Sequence, residues 1–358
     1  MKTKIILFML GSFIAILHAC NIEDDYKQIS HKEYLETHQY NIGQMTLLLN
    51  DDKRNRPIKT EIWYPTNDTA KSNPTSEYPF KLPPTSKDAA IVSNKHPLIF
   101  LSHGTGGNRI SQMWLACELA SSGYIVAAVD HFGNTLDNKI AENFVKIWER
   151  PLDISFAIDK VVNLPELSSN IDTTKIGMVG FSLGGYTTIA LAGGSINYDS
   201  LKKFSSTKEG KEEFKVPELG DVSKFITPEL IEKGNNAFKH LKDNRISAFV
   251  AMAPAVGQGF EQVSQFDNFD KPILIIGAEK DERTPVITNA KHFHNLIKGS
   301  AYIELEGKIG HYIFMNEARE GLKRDAPMIF KDDDAVNRKD VHDRVSKIII
   351  DFFEKKLK

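Results

Sequence analysis

Short apolar runs alternate with amphipathic stretches along most of the chain. The apolar runs are bounded by turn residues and predict strands, whereas the amphipathic stretches between them predict helices. The predicted strands are 60–64, 98–101, 124–129, 175–179, 246–252, 273–276 and 301–305, and the predicted helices are 111–122, 152–163, 182–192 and 341–357. Each short apolar run needs cover on both of its faces, which a parallel sheet flanked by helices supplies. The pattern therefore predicts an α/β fold with a mostly parallel sheet.

Two stretches interrupt this alternation. Residues 67–95 are rich in Pro, Ser, Thr, Asn and Lys and predict a surface loop. Residues 195–244, called the insertion from here on, are charged, with four scattered phenylalanines at 204, 214, 225 and 238. The ends of the insertion meet the helix predicted at 182–192 and the strand predicted at 246–252. We interpret it as an amphipathic cap over the carboxyl edge of the sheet, and a solvated surface excursion is the alternative.

The amino terminus has the pattern of an export signal. Two lysines precede an apolar run at 5–17, which is shorter than the roughly 20 apolar residues that span a bilayer. Leu17-His18-Ala19-Cys20 resembles the lipobox of bacterial lipoproteins, in which cleavage precedes the cysteine and its thiol is acylated; His18 departs from the usual small or aliphatic residue. The sequence predicts a signal peptide at 1–19 and an exported protein, lipid-anchored through Cys20 to a cell-envelope membrane on its periplasmic or surface face. Plain secretion is the alternative.

Composition removes several classes of protein. The net charge is −2, from 45 basic and 47 acidic side chains, so nothing electrostatic favours nucleic acid as a partner. Cys20 and Cys117 are the two cysteines, too few for a disulfide scaffold or a four-cysteine metal site. Cys117 falls within the helix predicted at 111–122, where we expect a small buried packing residue.

Candidate chemistry concentrates at Gly-Phe-Ser-Leu-Gly-Gly, residues 180–185, directly after the strand predicted at 175–179. A serine in Gly-x-Ser-x-Gly at a strand-to-helix corner sits on a sharp turn, where the flanking glycines avoid a clash with neighbouring backbone. The hydroxyl of Ser182 would then be held out at the carboxyl edge of the sheet. A glycine-rich corner that serves only helix packing is the alternative.

A second glycine-rich segment, His-Gly-Thr-Gly-Gly at 103–107, follows the strand predicted at 98–101. Acyl transfer develops negative charge on the carbonyl oxygen, which two backbone N–H groups can stabilise. This loop could present one such group, and Leu183, at the start of its helix, could present the other. A flexible turn or a phosphate cradle fits less well, because neither Gly-Lys-Ser/Thr nor Gly-x-Gly-x-x-Gly is present.

A nucleophilic serine needs a base, and the base needs an orienting acid, in the chain order serine, acid, histidine. Asp281 lies beyond the strand predicted at 273–276, and His311 lies beyond the one at 301–305. Glu279 and Glu282 are rivals for the acid, but the short side chain of Asp281 suits the loop tip better.

No metal site is predicted. His292 and His294 are two residues apart on a helix, so they point to different faces and are expected on the solvated surface. The acidic run at 332–334 lacks the spaced ligands of a calcium loop and predicts a solvated turn.

These motifs together resemble α/β-hydrolases of the group that contains bacterial predicted dienelactone hydrolases and platelet-activating-factor acetylhydrolases. The matching segments are Arg54-x-Arg56-Pro57, Trp63-Tyr64-Pro65, residues 102–106, 129–135, Arg150-Pro151-x-Asp153, 180–185, 272–285 and 310–312. The resemblance implies one α/β-hydrolase domain at 40–358, with Ser182 as nucleophile, Asp281 as acid and His311 as base. It also implies backbone donors at Thr105 and Leu183.

One departure concerns the acid. The lipid acetylhydrolases place it after the strand that follows the nucleophile, and here residues 251–257 contain no carboxylate. A lipid substrate is therefore implied less strongly than ester hydrolysis. The sequence predicts a serine esterase acting on a small-molecule or lipid ester, with no metal or organic cofactor. Dienelactone hydrolysis itself is associated with a cysteine nucleophile. A peptidase or acyltransferase of the same fold, or a non-catalytic surface binding lipoprotein, are the alternatives.

Overall fold

The computed structural model describes residues 38–69, 74–216 and 219–357. The signal peptide predicted at 1–19 and the lipidation predicted at Cys20 lie outside the described residues. Within the described ranges, no helix combines the length and apolar character that crossing a membrane requires.

Eleven strands and ten α-helices make up the regular structure of the described residues. The strands are β1 Asn41–Asp51, β2 Arg56–Thr66, β3 Ser86–Lys87, β4 His96–Ser102, β5 Ile125–Val129, β6 Ile171–Phe181, β7 Lys215–Val216, β8 Gly220–Asp221, β9 Ile246–Met252, β10 Ile273–Ala278 and β11 Ala301–Leu305. The helices are α1 Met113–Ser121, α2 Glu149–Val161, α3 Leu183–Leu191, α4 Tyr198–Ser205, α5 Lys208–Glu213, α6 Pro228–Ala237, α7 Ala290–Leu296, α8 Glu320–Asp325, α9 Pro327–Phe330 and α10 Arg338–Lys356. Short 3-10 helices lie at Pro74–Glu77, Ala141–Phe144, Ser168–Asn170, Val222–Phe225, Phe238–His240, Gly257–Gly259, Val263–Phe266 and His311–Phe314.

Nine strands form one sheet in the order β11-β10-β9-β6-β4-β5-β2-β1-β3. The strands from β11 to β5 are all parallel, and β2 is antiparallel to both of its neighbours, β5 and β1. The prediction of a mostly parallel sheet flanked by helices is therefore confirmed. Parallel strands bring their carboxyl ends to one edge, so the loops after β4, β6, β10 and β11 meet there.

Apolar side chains cover both faces of the sheet. On one face α2, α3 and α7 pack, with Ile158 and Ile189 fully buried. On the other face α1 and α10 pack, with Val345 and Ile349 fully buried. Cys117 of α1 is completely buried there, as expected, and burial raises the pKa of its thiol well above the usual value.

The sheet is larger than the sequence pattern predicts. β1 was assigned to no element, yet it pairs along its whole length with β2, and β2 itself extends beyond the predicted 60–64 at both ends. At the centre of β1, half-buried positions alternate with exposed ones, so its pattern does not stand out as a buried apolar run. Residues 41–51 form a strand because they pair with β2.

The insertion contains α4, α5, α6 and the two-stranded sheet of β7 and β8. Tyr198 and Phe238 are buried and stack on each other with ring centroids 5.6 Å apart, and both also contact Trp148. The Tyr198 hydroxyl donates a hydrogen bond to the Val145 carbonyl. The insertion thus packs on residues 145–148 and continues the core below it, while its role as a cap stays a prediction.

Candidate active site

Ser182 sits on a strained turn between β6 and α3. Its backbone has φ 56° and ψ −119°, a conformation that a non-glycine residue adopts only where the surroundings enforce it. The glycines beside it allow that close packing: a Cβ on Gly180 would lie 1.9 Å from the Gly184 carbonyl oxygen, and one on Gly184 would lie 1.9 Å from the Ser102 carbonyl oxygen. The local sequence therefore forces the serine side chain out of the sheet edge.

The structure brings the three predicted residues of the catalytic triad together. His311 Nε2 lies 3.1 Å from Ser182 Oγ, and His311 Nδ1 lies 2.7 Å from Asp281 Oδ2. All three residues are buried, with exposed fractions between 6% and 8%. This geometry allows the imidazole to accept the serine proton at Nε2 while the carboxylate holds Nδ1–H.

The loop after β10 holds the Asp281 carboxylate in place. Its Oδ1 accepts hydrogen bonds from the backbone N–H groups of Arg283 (2.9 Å) and Thr284 (2.6 Å). Its Oδ2 accepts from Thr284 Oγ1 at 2.8 Å as well as from His311. Sequence analysis missed Thr284. The spacing Asp-x-x-Thr, in which an aspartate side chain receives nearby backbone donors, was the available signal.

The two rival carboxylates, those of Glu279 and Glu282, lie at the surface. Glu279 accepts hydrogen bonds from the Gly307 N–H and pairs with Lys280 at the surface. Glu282 is exposed. The loop that carries His311 is tied to the loop that carries Asp281, because the Lys280 N–H donates to the Ile309 carbonyl at 2.9 Å.

The predicted backbone donors lie on either side of Ser182. Leu183 is the first residue of α3, and the N–H groups of a helix's first turn have no partner within the helix. Thr105 is exposed and follows Gly104, where an added Cβ would lie 3.1 Å from the Cβ of Ser182. The loop after β4 and the start of α3 thus approach Ser182 together, while the roles of Thr105 and Leu183 remain predictions.

A second Ser–His–Asp arrangement lies beneath the site. Ser102 Oγ donates to His131 Nε2 at 2.9 Å, and His131 Nδ1 donates to Asp153 Oδ2 at 3.0 Å. These three residues are at most 1% exposed, so no substrate reaches them. Ser102 Oγ also accepts from the Arg150 guanidinium at 3.3 Å, which makes it a poor nucleophile. The arrangement is a structural network, and sequence analysis assigned it no role.

The expectation that His292 and His294 are solvated is wrong. Both are half-buried: His292 Nε2 donates to the Phe260 carbonyl at 2.6 Å, and the His294 ring stacks on Tyr302 and hydrogen-bonds Ser300. They do face different partners, as their spacing predicts, because α7 packs between a loop and β11. In the acidic run, Asp332 is half-buried and pairs with Arg338, whereas Asp333 and Asp334 are exposed. In the part of the chain that the structure describes, no three His, Cys, Asp or Glu side chains are grouped as metal ligands.

The loop that carries His311 is supported from below by a buried neutral histidine. His342 of α10 stacks on Trp114 with ring centroids 3.8 Å apart, and its Nε2 donates to the Ile313 carbonyl at 2.7 Å. Burial lowers the pKa of His342 to about 3. The pKa values of His103 and His131 are also lowered well below the usual range by burial.

We expect these histidines to make the protein sensitive to acid. Below about pH 6.5 the unfolded chain binds protons that the folded chain excludes, so the free energy of unfolding falls by about 1.4 kcal/mol per pH unit for each such group. For His342 this loss extends from about pH 6.5 down to about pH 3. His342→Gln keeps a donor for the Ile313 carbonyl but does not titrate, so urea unfolding at pH 7 and pH 5 should show a smaller loss than in the wild type. The exposed His240→Gln is the control, and equal losses in all three proteins would contradict the prediction.

Known proteins resemble the chain in sequence and in fold. The family model described as platelet-activating factor acetylhydrolase, isoform II, matches residues 75–137. Cutinase 2 of Thermobifida cellulosilytica is 26% identical over 220 residues, which cover 60% of this chain and 60% of the cutinase. Platelet-activating factor acetylhydrolase of Cavia porcellus is 26% identical over 150 residues, 30% of this chain and 34% of that protein. The solved ferulic acid esterase of Streptomyces cinnamoneus superposes with a TM-score of 0.60 at 19% identity, covering 90% of this chain and 91% of the esterase.

The chain has the α/β-hydrolase fold and resembles the platelet-activating factor acetylhydrolase group. The predicted fold class and the predicted resemblance are confirmed. The chain spans about 60% of the length of the cutinase that it matches.

Proposed function

We propose that this protein is a serine esterase that hydrolyses carboxylic esters through an acyl-enzyme on Ser182. The observation that carries the proposal is the continuous hydrogen-bond chain from Ser182 Oγ through His311 to Asp281, built on a strained turn at the sheet edge. The names of the cutinase, acetylhydrolase and ferulic acid esterase relatives support an ester substrate.

The reaction follows from the positions of these groups. Ser182 Oγ attacks the ester carbonyl carbon as His311 Nε2 takes its proton. The oxyanion of the tetrahedral intermediate accepts hydrogen bonds from the N–H groups of Leu183 and Thr105. His311 then protonates the leaving alcohol, and water, deprotonated by the same imidazole, releases the acid from the acyl-enzyme. Asp281 keeps the imidazole in the correct tautomer throughout.

The proposal is tested on the purified mature protein with a series of 4-nitrophenyl esters and a fluorophosphonate probe. We expect ester hydrolysis, and we expect mass spectrometry to locate one covalent adduct on the peptide that contains Ser182. A folded protein that neither hydrolyses any ester of the series nor reacts with the probe would contradict the proposal. Comparison of matched ester and amide substrates distinguishes an esterase from a peptidase.

We propose further that the insertion covers the site. Its helix α5 ends at Glu213, whose carboxyl is partly buried near the loop that carries Asp281. Burial raises the pKa of Glu213 to about 7. The positive charge of Arg283 opposes this rise in pKa, whereas the negative charge of Asp281 adds to it. This part of the insertion therefore lies within electrostatic reach of the triad.

We expect the tip of the insertion to determine substrate choice. Replacing residues 207–221 with a short Gly/Ser linker keeps Tyr198 and Phe238, which anchor the insertion in the core. The acyl-chain preference and KM should then change far more than the rate of fluorophosphonate labelling of Ser182, because the triad is left in place. An unchanged chain-length profile in a folded variant would show that the insertion does not cover the site.

We also propose that the mature protein is lipid-anchored through Cys20. In a bacterial host the wild type should partition with membranes and incorporate labelled fatty acid, whereas Cys20→Ser should do neither, because the serine hydroxyl is no substrate for thiol acylation. Cys117→Ser is the matched control, since that thiol is buried and should not be acylated. An intact mass that corresponds to a mature protein with a different first residue and no acyl group would contradict the anchor.

A further inference from the structure

We infer that Arg150 is a positioning residue that fixes the Thr105 amide beside Ser182, acting through the loop at 103–107. The inference rests on the proposed esterase function and goes beyond it, because Arg150 itself does not touch the substrate.

Arg150 is a buried cation that joins three segments. It lies in α2 and is 1% exposed. Its guanidinium donates to the His103 carbonyl, and its other acceptors are Ser102 Oγ, Asn134 Oδ1 and Thr187 Oγ1, each at 3.3 Å. These acceptors belong to the end of β4, the loop after β5 and helix α3, which follows Ser182. A guanidinium presents several donors in one rigid plane, so it can hold these segments in a fixed relation.

The His103 ring fixes the peptide plane that contains the Thr105 amide. Its Nε2 accepts from the His131 backbone N–H at 3.2 Å, so the proton of the neutral ring is on Nδ1. That Nδ1–H donates to the Gly104 carbonyl at 2.7 Å. The Gly104 carbonyl and the Thr105 N–H belong to one trans peptide and point in opposite directions. Holding the carbonyl towards the buried ring therefore turns the N–H away from it.

Asn134 holds the next peptide. Its Oδ1 accepts from the Gly106 N–H at 3.1 Å as well as from Arg150. The Gly107 N–H closes the turn on the Gly104 carbonyl at 3.2 Å. The peptides on both sides of Thr105 are thus fixed by groups that contact Arg150 directly or through one neighbour. Because oxyanion donors act only when they are held within about 0.5 Å of the productive position, loosening this loop should reduce catalysis.

The nearby carboxylate of Asp153 has partners other than Arg150. Asp153, one turn further along α2, is held by Arg56 through two bonds of 2.7 Å and by His131. Removing Arg150 therefore leaves the carboxylate of Asp153 with its partners. This makes Arg150→Met, which fills much of the same volume, a usable variant.

The test compares a short 4-nitrophenyl ester with its thionoester, in which sulfur replaces the carbonyl oxygen. Sulfur is a weaker hydrogen-bond acceptor, so a well-aligned oxyanion site favours the oxoester. In Arg150→Met we expect kcat for the oxoester to fall roughly 100-fold with KM changed less than about threefold, and the oxoester-to-thionoester rate ratio to fall about tenfold. A general loss of folded enzyme would lower both rates equally and leave the ratio unchanged.

A second pair of variants covers the case in which Arg150→Met does not fold. Asn134→Ala removes the acceptor of the Gly106 N–H and should lower the oxoester-to-thionoester rate ratio. Asn134→Asp keeps that acceptor and should have the wild-type ratio. Arg245→Met is the control, because this arginine joins Asp159 and Asp243 away from the site.

The two failures are distinguishable. A wild type that hydrolyses neither ester would overturn the proposed function. An active wild type whose ratio is unchanged in a folded Arg150→Met, or in Asn134→Ala if the first variant does not fold, would overturn the positioning role alone.

Discussion

Replacing Ser182 with alanine should lower ester hydrolysis by a factor on the order of 10⁵ and abolish fluorophosphonate labelling. In the proposed mechanism the hydroxyl oxygen of Ser182 forms the acyl-enzyme. His311 Nε2 lies 3.1 Å from this oxygen. Alanine removes this oxygen. It does not change the glycines at 180 and 184, whose lack of a side chain permits the strained turn. The fold should therefore persist, which circular dichroism and the thermal midpoint would show. Initial rates with 4-nitrophenyl esters measure the loss.

The matched control is Ser169→Ala. Ser169 is an exposed serine just before β6, at the opposite end of the strand from Ser182. Its replacement should leave hydrolysis and labelling unchanged. Ordinary labelling of a folded Ser182→Ala protein would remove Ser182 from the nucleophile's role.

Asp281→Asn should lower kcat by roughly 10⁴-fold with little effect on folding. The asparagine keeps an oxygen for the N–H groups of Arg283 and Thr284, so the loop should hold its shape. Its amide cannot hold the proton of His311 on Nδ1 as the carboxylate does, and the imidazole then presents the wrong tautomer to Ser182. Steady-state kinetics together with the rate of fluorophosphonate labelling would measure this loss.

Glu279→Gln and Glu282→Gln are the controls for this variant. Both carboxylates lie on the same loop, but Glu279 contacts the Gly307 amide and Lys280, and Glu282 is exposed. Each control should change kcat by less than about threefold, in keeping with the small energies of exposed polar contacts. If Glu279→Gln were the variant that lost activity, the acid would be misassigned.

The fold class could be predicted because its signals are local. Buried parallel strands read as short apolar runs, and β9 and β11 were predicted with the bounds that the structure has. The corner at Ser182 was recognisable because close backbone packing admits only glycine at 180 and 184. Chain order then narrowed the acid and the base to the loops after β10 and β11.

Other features could not be read from local patterns. Strand β1 depends on a partner for its identity, and His292 and His294 are half-buried because α7 packs between a loop and β11, which their helical spacing does not reveal. The network of Ser102, His131 and Asp153 has the residue types of a catalytic triad. Its burial and the hydrogen bond from Arg150 to Ser102 Oγ mark it as structural.

The sequence by itself determined the alternating elements, the strained corner and the order of the candidate triad, because these depend on the conformational limits of a few neighbouring residues. The contact between Ser182 and His311 joins positions 129 residues apart, and the contact between Asp281 and His311 joins positions 30 apart. Which carboxylate meets the imidazole, and how Arg150 reaches the loop at 103–107, were decided by the tertiary structure. Hydrogen bonds act over about 3 Å, so only the pairing of the strands in one parallel sheet brings the loops after β6, β10 and β11 within range of one another.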